Sequence, residues 1–189
     1  MKIVAFNGSP RPGGNTAILL NEALKPLREA GHDLQVYPLA TMTIKPCQDC
    51  GGCTATGVCI HKDEMAEVFD AIRSAERIVL ASPIFFSSVS AQTKAMIDRC
   101  QAFWCEKYLL KKEIPAGPRG RRGLLLLVGG MKKEGSERCA AETSKAFFRT
   151  VSVPEHRVLY YSGIDAKGDI LKHPAALGEA YQAGQELGQ

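Results

Sequence analysis

The segment MKIVAFNGSPRPGGNT, residues 1–16, joins a short apolar run to a polar loop that is rich in glycine and proline. Residues 1–6 contain β-branched side chains and end at a turn signal, which is the pattern of a buried strand. Residues 16–30 carry apolar side chains at helical spacing, with Pro26 and then Ala-Gly-His marking a kink and a stop. This segment therefore predicts a strand, a loop and a helix, in that order.

The same alternation continues along the rest of the chain. Further short apolar runs predict strands at residues 33–39, 77–83, 123–130 and 156–164. Apolar residues at helical spacing predict helices at 63–74, 91–104, 136–151 and 173–187. Asp63 is the predicted N-cap of its helix, and residues 105–122 are a predicted charged connection. Five strands alternating with helices indicate an α/β fold, a doubly wound five-stranded parallel sheet with helices on both faces.

The composition is that of an ordinary globular protein of 189 residues with a net charge of +4. A chain of this length buries about 70% of its unfolded surface, which favours one domain over residues 1–189. No apolar run approaches the roughly 20 residues of a membrane span, and the first residues do not form a signal peptide. We therefore expect a cytoplasmic protein without a membrane partner. The basic stretch PRGRRG, residues 118–123, lacks aromatics, so we expect a solvated loop and no nucleic-acid partner.

Three loops follow predicted strands, where ligands bind in doubly wound sheets. The loop at residues 7–16 fits neither G-x-G-x-x-G nor the Walker A pattern, which excludes a dinucleotide fingerprint and P-loop NTP hydrolysis. Its side-chain donors, together with the start of a helix, suit one terminal phosphate. These donors are Ser9, Arg11, Asn15 and Thr16.

The other two loops offer aromatic rings and glycines. Phe85 and Phe86 follow a strand end and could line a planar ring, and we expect one of them to cap the core instead. Gly129 and Gly130 end another strand, where they permit close approach of the backbone to a ligand.

Together, GSPRPGGNT (8–16), SPIFFSSVSAQTKAMIDR (82–99) and VGG (128–130) resemble the flavodoxin-like NAD(P)H-dependent FMN reductase superfamily. The resemblance runs from the first predicted strand to the fourth. It implies a flavodoxin-like fold in which the first loop binds the FMN phosphate through Ser9, Arg11, Asn15 and Thr16. It further implies that the isoalloxazine ring is flanked by Pro83, Ile84, Phe85 and Phe86, with Gly130 near its edge. Gly14 stands where this family often has a serine, so one hydroxyl is missing while the backbone N–H is kept.

The stretch KPCQDCGGCTATGVC, residues 45–59, crowds four cysteines into the spacing C-x2-C-x2-C-x5-C, within a cysteine-rich loop at 45–62. Structural zinc usually takes two separated pairs, whereas ferredoxins begin with the same closely spaced run. The residues alone leave three readings open: a [4Fe-4S] cluster, zinc, or thiols that stay free or form a disulfide. The loop resembles the iron-sulfur flavoprotein branch, which implies one [4Fe-4S] cluster on Cys47, Cys50, Cys53 and Cys59. Cys100, Cys105 and Cys139 differ from these four: we expect Cys100 to be a small core residue, Cys139 falls within a predicted helix, and no histidine lies close in sequence to any of the three.

The resemblance also implies the activity. It points to an FMN-dependent oxidoreductase that passes electrons between NAD(P)H or a ferredoxin-type donor and an acceptor, through the cluster. In such enzymes the flavin carries the chemistry, and the sequence offers no catalytic acid–base pair of its own. Two alternatives stay open: a cluster-free NAD(P)H-dependent FMN, quinone, azo or metal-ion reductase, and a non-enzymatic flavodoxin-like electron carrier. The resemblance further implies a homodimer or homotetramer.

Overall fold

The computed structural model describes residues 1–117, 119–132 and 135–189, and its centre is a twisted parallel sheet. Its strands are β1 (Lys2–Asn7), β2 (Asp33–Pro38), β3 (Arg77–Phe85), β4 (Ser88–Val89), β5 (Arg122–Val128) and β6 (Glu155–Tyr161). Five of them run parallel in the order β2-β1-β3-β5-β6, while the two-residue β4 pairs antiparallel with the end of β3. This is the strand order of flavodoxin-like sheets, with the switch point between β1 and β3. The predicted five-stranded parallel sheet is confirmed.

Helices cover both faces of the sheet. They are α1 (Asn15–Glu29), α2 (Met65–Ser74), α3 (Ala91–Arg99), α4 (Gln101–Trp104), α5 (Arg138–Thr150) and α6 (Pro174–Leu187). Successive residues of a strand face opposite sides, so β1 sends Val4 and Phe6 into one apolar core and Ile3 and Ala5 into the other. None of the helices in the described ranges is long and apolar enough to cross a bilayer.

Local differences from the sequence-based expectations lie at helix ends and in one connection. The predicted helix 91–104 breaks at Cys100 and continues through α4 into a π-helical turn, Cys105–Leu109. The helix predicted from Asp63 begins at Met65, with Glu64 as its N-cap, and the Asp63 carboxylate forms a buried ion pair with Arg99. Its Oδ1 still accepts the Met65 N–H, at 3.2 Å.

The basic stretch at residues 118–123 is not simply a solvated loop. Residue 118 lies outside the described residues, as do residues 133 and 134 of the third ligand loop. Arg121 is only 1% exposed, and its guanidinium donates to the carbonyl of Ile72. Burial lowers the pKa of Arg121 to about 10.

The last helix is held by the first helix and by the central strand. A Cβ on Gly184 of α6 would lie 1.8 Å from the carbonyl oxygen of Ala23 in α1, so only glycine allows this close packing. Arg77, buried at the start of β3, donates its Nε–H to the Leu187 carbonyl at 2.7 Å. The end of α6 is therefore tied to the middle of the sheet.

Candidate functional site

A cavity of about 410 Å³ opens at the carboxyl ends of β1, β3 and β5. Its volume falls in the range of roughly 300–1,000 Å³ that is usual for small-molecule sites. All nine residues that we predicted to contact the cofactor line it: Ser9, Arg11, Asn15, Thr16, Pro83, Ile84, Phe85, Phe86 and Gly130. Sequence reasoning assigned no role to several further lining residues: Met131 and Ser136, which lie in the third ligand loop GGMKKEGS at 129–136, and Ile164 and Asp165, which follow β6. The structure thus brings the predicted residues together, and their contact with FMN stays a prediction.

Asn15 ties the first loop to a distant one. Its Nδ2 donates to the Ala166 carbonyl at 2.8 Å, and its Oδ1 accepts from the N–H groups of Gly168 at 2.9 Å and Ile170 at 3.3 Å. The side-chain amide is therefore largely occupied by the scaffold. We expect its part in phosphate binding to come from its backbone N–H, at the first position of α1.

The turn before α1 leaves the start of the helix open. Gly14 is the N-cap and offers no side-chain hydrogen bond, while its N–H donates to the Arg11 carbonyl at 3.1 Å. The Gly14 N–H is present, as expected from the sequence, and the turn uses it. The first N–H groups of a helix lack intrahelical partners and carry partial positive charge, so α1 still presents an anion site. Ser9 and Thr16 add hydroxyls beside it.

A buried hydroxyl network positions this loop against α3. Ser90, the N-cap of α3, donates to the Gly8 carbonyl at 2.7 Å, and its N–H donates to Ser82 Oγ at 3.0 Å. A Cβ on Gly8 would lie 1.8 Å from Thr93 Oγ1, so the loop reaches α3 only as glycine. The serines and threonines of SPIFFSSVSAQT were the signal for this network, but their mutual contacts were not visible in the sequence.

The two phenylalanines form a rim at the tip of the β3–β4 hairpin. Phe86 and Ser87 make its two-residue turn with positive φ angles of 49° and 61°. Phe86 is fully exposed and Phe85 is 43% exposed. The expectation that one phenylalanine caps the core is therefore wrong. A bulky residue with positive φ is strained, and such strain is concentrated at ligand sites.

Gly130 lets two loops approach each other closely. A Cβ there would lie 3.0 Å from Asp165 Oδ1, whereas a Cβ on Gly129 would meet Tyr160 and Ile84 at ordinary contact distance. We expected the missing side chain of Gly130 to leave room for a ligand. Part of that space is occupied by the side chain of Asp165. Both residues line the cavity.

The cysteine loop closes over a second cavity of about 40 Å³ beside α3 and α4. The four predicted ligands line it: Cys47, Cys50, Cys53 and Cys59. Cys105 lines it too, with its Sγ 3.6 Å from the Sγ of Cys53. No sequence pattern placed Cys105 at this loop, and the structure adds it there. Cys100 is buried in the core and Cys139 is exposed on α5.

Arg99 holds both ends of the cysteine loop. Its Nη1 donates to the Lys45 carbonyl at 2.8 Å and pairs with Asp63 Oδ2 at 2.7 Å, while its Nη2 donates to Asp63 Oδ1 at 3.2 Å and to the His61 carbonyl at 3.4 Å. Burial alone would raise the pKa of Asp63, but the hydrogen bonds from Arg99 and from the Lys45 N–H outweigh it and hold that pKa below its usual range. The loop is thus closed at its base by a buried cation.

The donor set of this cavity suits a thiolate-bound group. Five sulfurs line it, and so does Arg99, whose buried Nε–H has no partner within the described ranges. Burial and the hydrogen bond with Cys105 raise the pKa of the Cys53 thiol to about 11, so this proton must be displaced by any metal that binds. In the part of the chain that the structure describes, no three His, Cys, Asp or Glu side chains are grouped to hold a metal ion. Loading therefore requires cysteine side chains to turn toward one another.

The chain is similar to known FMN reductases and iron-sulfur flavoproteins. Residues 1–162 match the family described as NADPH-dependent FMN reductase. An iron-sulfur flavoprotein of Methanocaldococcus jannaschii is 39% identical over 99 residues, covering 52% of this chain and 51% of that protein. One from Archaeoglobus fulgidus is 37% identical over 135 residues, covering 71% of this chain and 65% of that protein. The chain thus spans between half and two thirds of these relatives.

A solved structure gives the fold independently. The FMN-dependent NADH-azoreductase of Bacillus anthracis, in complex with FMN, superposes with a TM-score of 0.73 over 100% of both chains at 13% identity. Identity this low speaks for the fold alone. The family match over residues 1–162 carries the assignment, together with another iron-sulfur flavoprotein of Methanocaldococcus jannaschii that is 34% identical over 149 residues, covering 78% of this chain and 71% of that protein. The chain belongs to the NADPH-dependent FMN reductase family, in its iron-sulfur flavoprotein branch.

Proposed function

We propose that this protein is an FMN-dependent cytoplasmic oxidoreductase that passes electrons between NAD(P)H, or a ferredoxin-type donor, and an acceptor through a [4Fe-4S] cluster. The observation that carries the proposal is the 410 Å³ cavity, which is lined by all nine residues predicted for FMN. When bound, FMN supplies two-electron exchange with a nicotinamide and one-electron release, and a cluster supplies one-electron transfer.

The side chains of the first cavity bind and orient the cofactor. The open start of α1, with Ser9 and Thr16, takes the phosphate, and Arg11 at the rim adds positive charge. Phe85 and Phe86 flank the ring and exclude water from one side, together with the backbone of residues 83–84. We assign no side chain to proton transfer.

The cysteine cavity holds the cluster in this proposal, on Cys47, Cys50, Cys53 and Cys59. Four thiolates in a compact loop are the usual ligands of such a cluster, and the names of the relatives support it. A second copy of the chain completes the assembly as a homodimer or homotetramer, since Phe86 and Met131 leave apolar surface exposed at the cavity rim. Sedimentation of the FMN-loaded protein checks the assembly, and a monomer would contradict it.

The deciding experiment is anaerobic reconstitution with iron, sulfide and FMN, followed by desalting and an absorption spectrum. Flavin bands over a broad iron-sulfur absorption that dithionite bleaches would support the proposal. The double substitution Cys47→Ser/Cys50→Ser should remove the broad absorption and keep the flavin bands, while Cys139→Ser on the exposed face of α5 should keep both. Failure to retain FMN would overturn the proposal.

A second candidate is a cluster-free NAD(P)H-dependent reductase of flavins or quinones. The name of the matching family, NADPH-dependent FMN reductase, favours it, and in the described residues no three His, Cys, Asp or Glu side chains are grouped to hold a metal ion. It predicts that a variant with all four clustered cysteines replaced by serine keeps full turnover. The non-enzymatic carrier predicts tight FMN with negligible NAD(P)H oxidation, so one turnover assay separates the three.

A further inference from the structure

Cys105 brings a fifth sulfur to a site that needs four. It starts the π-helical turn after α4, 52 residues from Cys53 in sequence, yet its Sγ lies 3.6 Å from the Sγ of Cys53. Both thiols line the cysteine cavity. π-helical turns are uncommon and frequently occur at functional sites.

The distance between the two sulfurs matches the spacing of two ligands on one metal ion. Two thiolates bound to one tetrahedral metal ion, each about 2.3 Å from it, lie about 3.8 Å apart. The observed 3.6 Å is close to that separation. An iron atom bound by Cys53 is therefore within reach of Cys105 without movement of the backbone.

The surroundings of Cys105 suit a sulfur ligand. Its side chain is only 2% exposed, which protects it from solvent oxidants. Gln101, one turn earlier, directs its Nε2 toward the Cys105 Sγ at 3.9 Å. An N–H donor of this kind stabilises a thiolate, as partners around metal ligands generally do.

We propose that Cys105 is a reserve ligand of the iron-sulfur site, able to take the place of Cys53 at the same iron. This inference rests on the cluster of the proposed function. Each iron of a [4Fe-4S] cluster takes a single cysteine, so Cys105 replaces Cys53 and does not add to it. The exchange forms one Fe–S bond and breaks another, the incoming thiol gives up its proton as the departing thiolate takes one, and no electrons are transferred.

The test compares cysteine variants after anaerobic reconstitution under reductant, which prevents a Cys53–Cys105 disulfide. Iron and acid-labile sulfide per chain are the readouts, with FMN retention as the control for folding. We expect Cys53→Ser to keep at least half of the wild-type iron and Cys47→Ser to lose most of it. Cys53→Ser/Cys105→Ser should lose most of it as well, and Cys53→Ser/Cys105→Ala repeats that test if the serine disturbs the buried position.

The matched control is Cys53→Ser/Cys139→Ser, which removes the same number of thiols but leaves Cys105 in place. It should keep as much iron as Cys53→Ser alone. Loss of iron in Cys53→Ser equal to that in Cys47→Ser would overturn the reserve-ligand role and leave the proposed function intact. A wild-type protein that takes up no iron and sulfide would overturn both.

Discussion

Phe86 is strained and wholly exposed, so its aromatic ring does nothing for the stability of the isolated chain. We expect Phe86→Asn to raise the free energy of unfolding by about 1 kcal/mol, because asparagine tolerates the left-handed conformation better. The same change should weaken FMN binding by roughly fivefold to tenfold, the usual worth of one aromatic contact. Urea unfolding and a fluorescence titration with FMN measure the two effects.

Ser87 provides the control, since it shares the strained turn without an aromatic ring. Ser87→Asn should gain stability in the same way and leave FMN affinity nearly unchanged. An unaltered affinity in Phe86→Asn would show that the exposed ring does not contact the flavin.

Gly8 makes the closest approach of the loop at residues 7–16 to α3. In Gly8→Ala the new methyl group would collide with Thr93 Oγ1, so we expect a loss of about 1–3 kcal/mol in unfolding free energy and weaker FMN binding. Gly178→Ala is the matched control, because a Cβ at that position of α6 meets open space. It should be neutral or stabilising by up to about 1 kcal/mol. Urea unfolding of both variants checks the pair, and equal effects would contradict the steric argument.

The residues of the first cavity were predictable because each motif is contiguous and follows a strand. Ser9, Arg11, Phe85 and Phe86 all lie within a few residues of a strand end, where the fold brings loops together. Cys105 was not predictable in this way. Its neighbour is 52 residues away, and nothing in the spacing of either segment records the contact.

At the scale of elements, α3 connects the two cavities. Its N-cap Ser90 is bonded to Gly8 of the first loop, and its last residue, Arg99, closes the cysteine loop. Removing one partner of a buried ion pair typically costs about 3–5 kcal/mol. Arg99→Lys keeps the charge but cannot contact Lys45, His61 and Asp63 together, so we expect residues 45–63 to detach.

Hydrogen exchange measures that detachment. In Arg99→Lys, amides of residues 45–63 should exchange faster while those of β1 and β3 stay protected. Lys94→Met is the control, since it breaks the exposed ion pair with Asp98 on the same helix and should leave the loop protected. Equal protection of the loop in wild type and Arg99→Lys would contradict the clamp.

The same ion pair makes the loop sensitive to acid. The folded-state pKa of Asp63 is depressed, so its contribution to stability is complete above the ordinary aspartate pKa of about 3.9 and is lost as pH falls through the lower folded value. We expect the wild-type loop to open only in that acidic window. Asp63→Asn should weaken the loop at neutral pH and abolish that part of its pH dependence. Tryptic cleavage after Lys62 at neutral pH, and hydrogen exchange at acidic pH, report the opening.

Strands and helices were predicted well where their apolar pattern repeats over many residues. They were predicted poorly where contacts of single side chains set the end of an element. The five parallel strands follow from apolar runs between turn residues. β4 has two residues and therefore no period to detect. Arg99, the last residue of α3, contacts Lys45 in a loop from elsewhere in the sequence, and only the tertiary structure contains that contact.

At the scale of the whole molecule, the two cavities should respond to one another through α3. FMN stabilises the folded chain by mass action, about 2.7 kcal/mol at a hundredfold excess over its Kd. The loop at residues 7–16 and the cysteine loop are hydrogen-bonded to opposite ends of α3. We therefore expect FMN to slow amide exchange in residues 45–63 as well as around its own cavity. Exchange with and without FMN measures this, and a cysteine loop that does not respond would contradict the coupling.

α1 is synthesised well before α6, the helix that packs against it. α6 packs beside α1 in the same apolar core, and the Nε–H of buried Arg77 donates to the Leu187 carbonyl. Until residues 174–187 have left the ribosome, α1 lacks its neighbour and the Nε–H of Arg77 lacks its partner, while Nη1 donates to the carbonyls of Glu76 and Gly120. Chaperones and proteases therefore meet a nascent chain in which this flank of α1 stays open until α6 has been made.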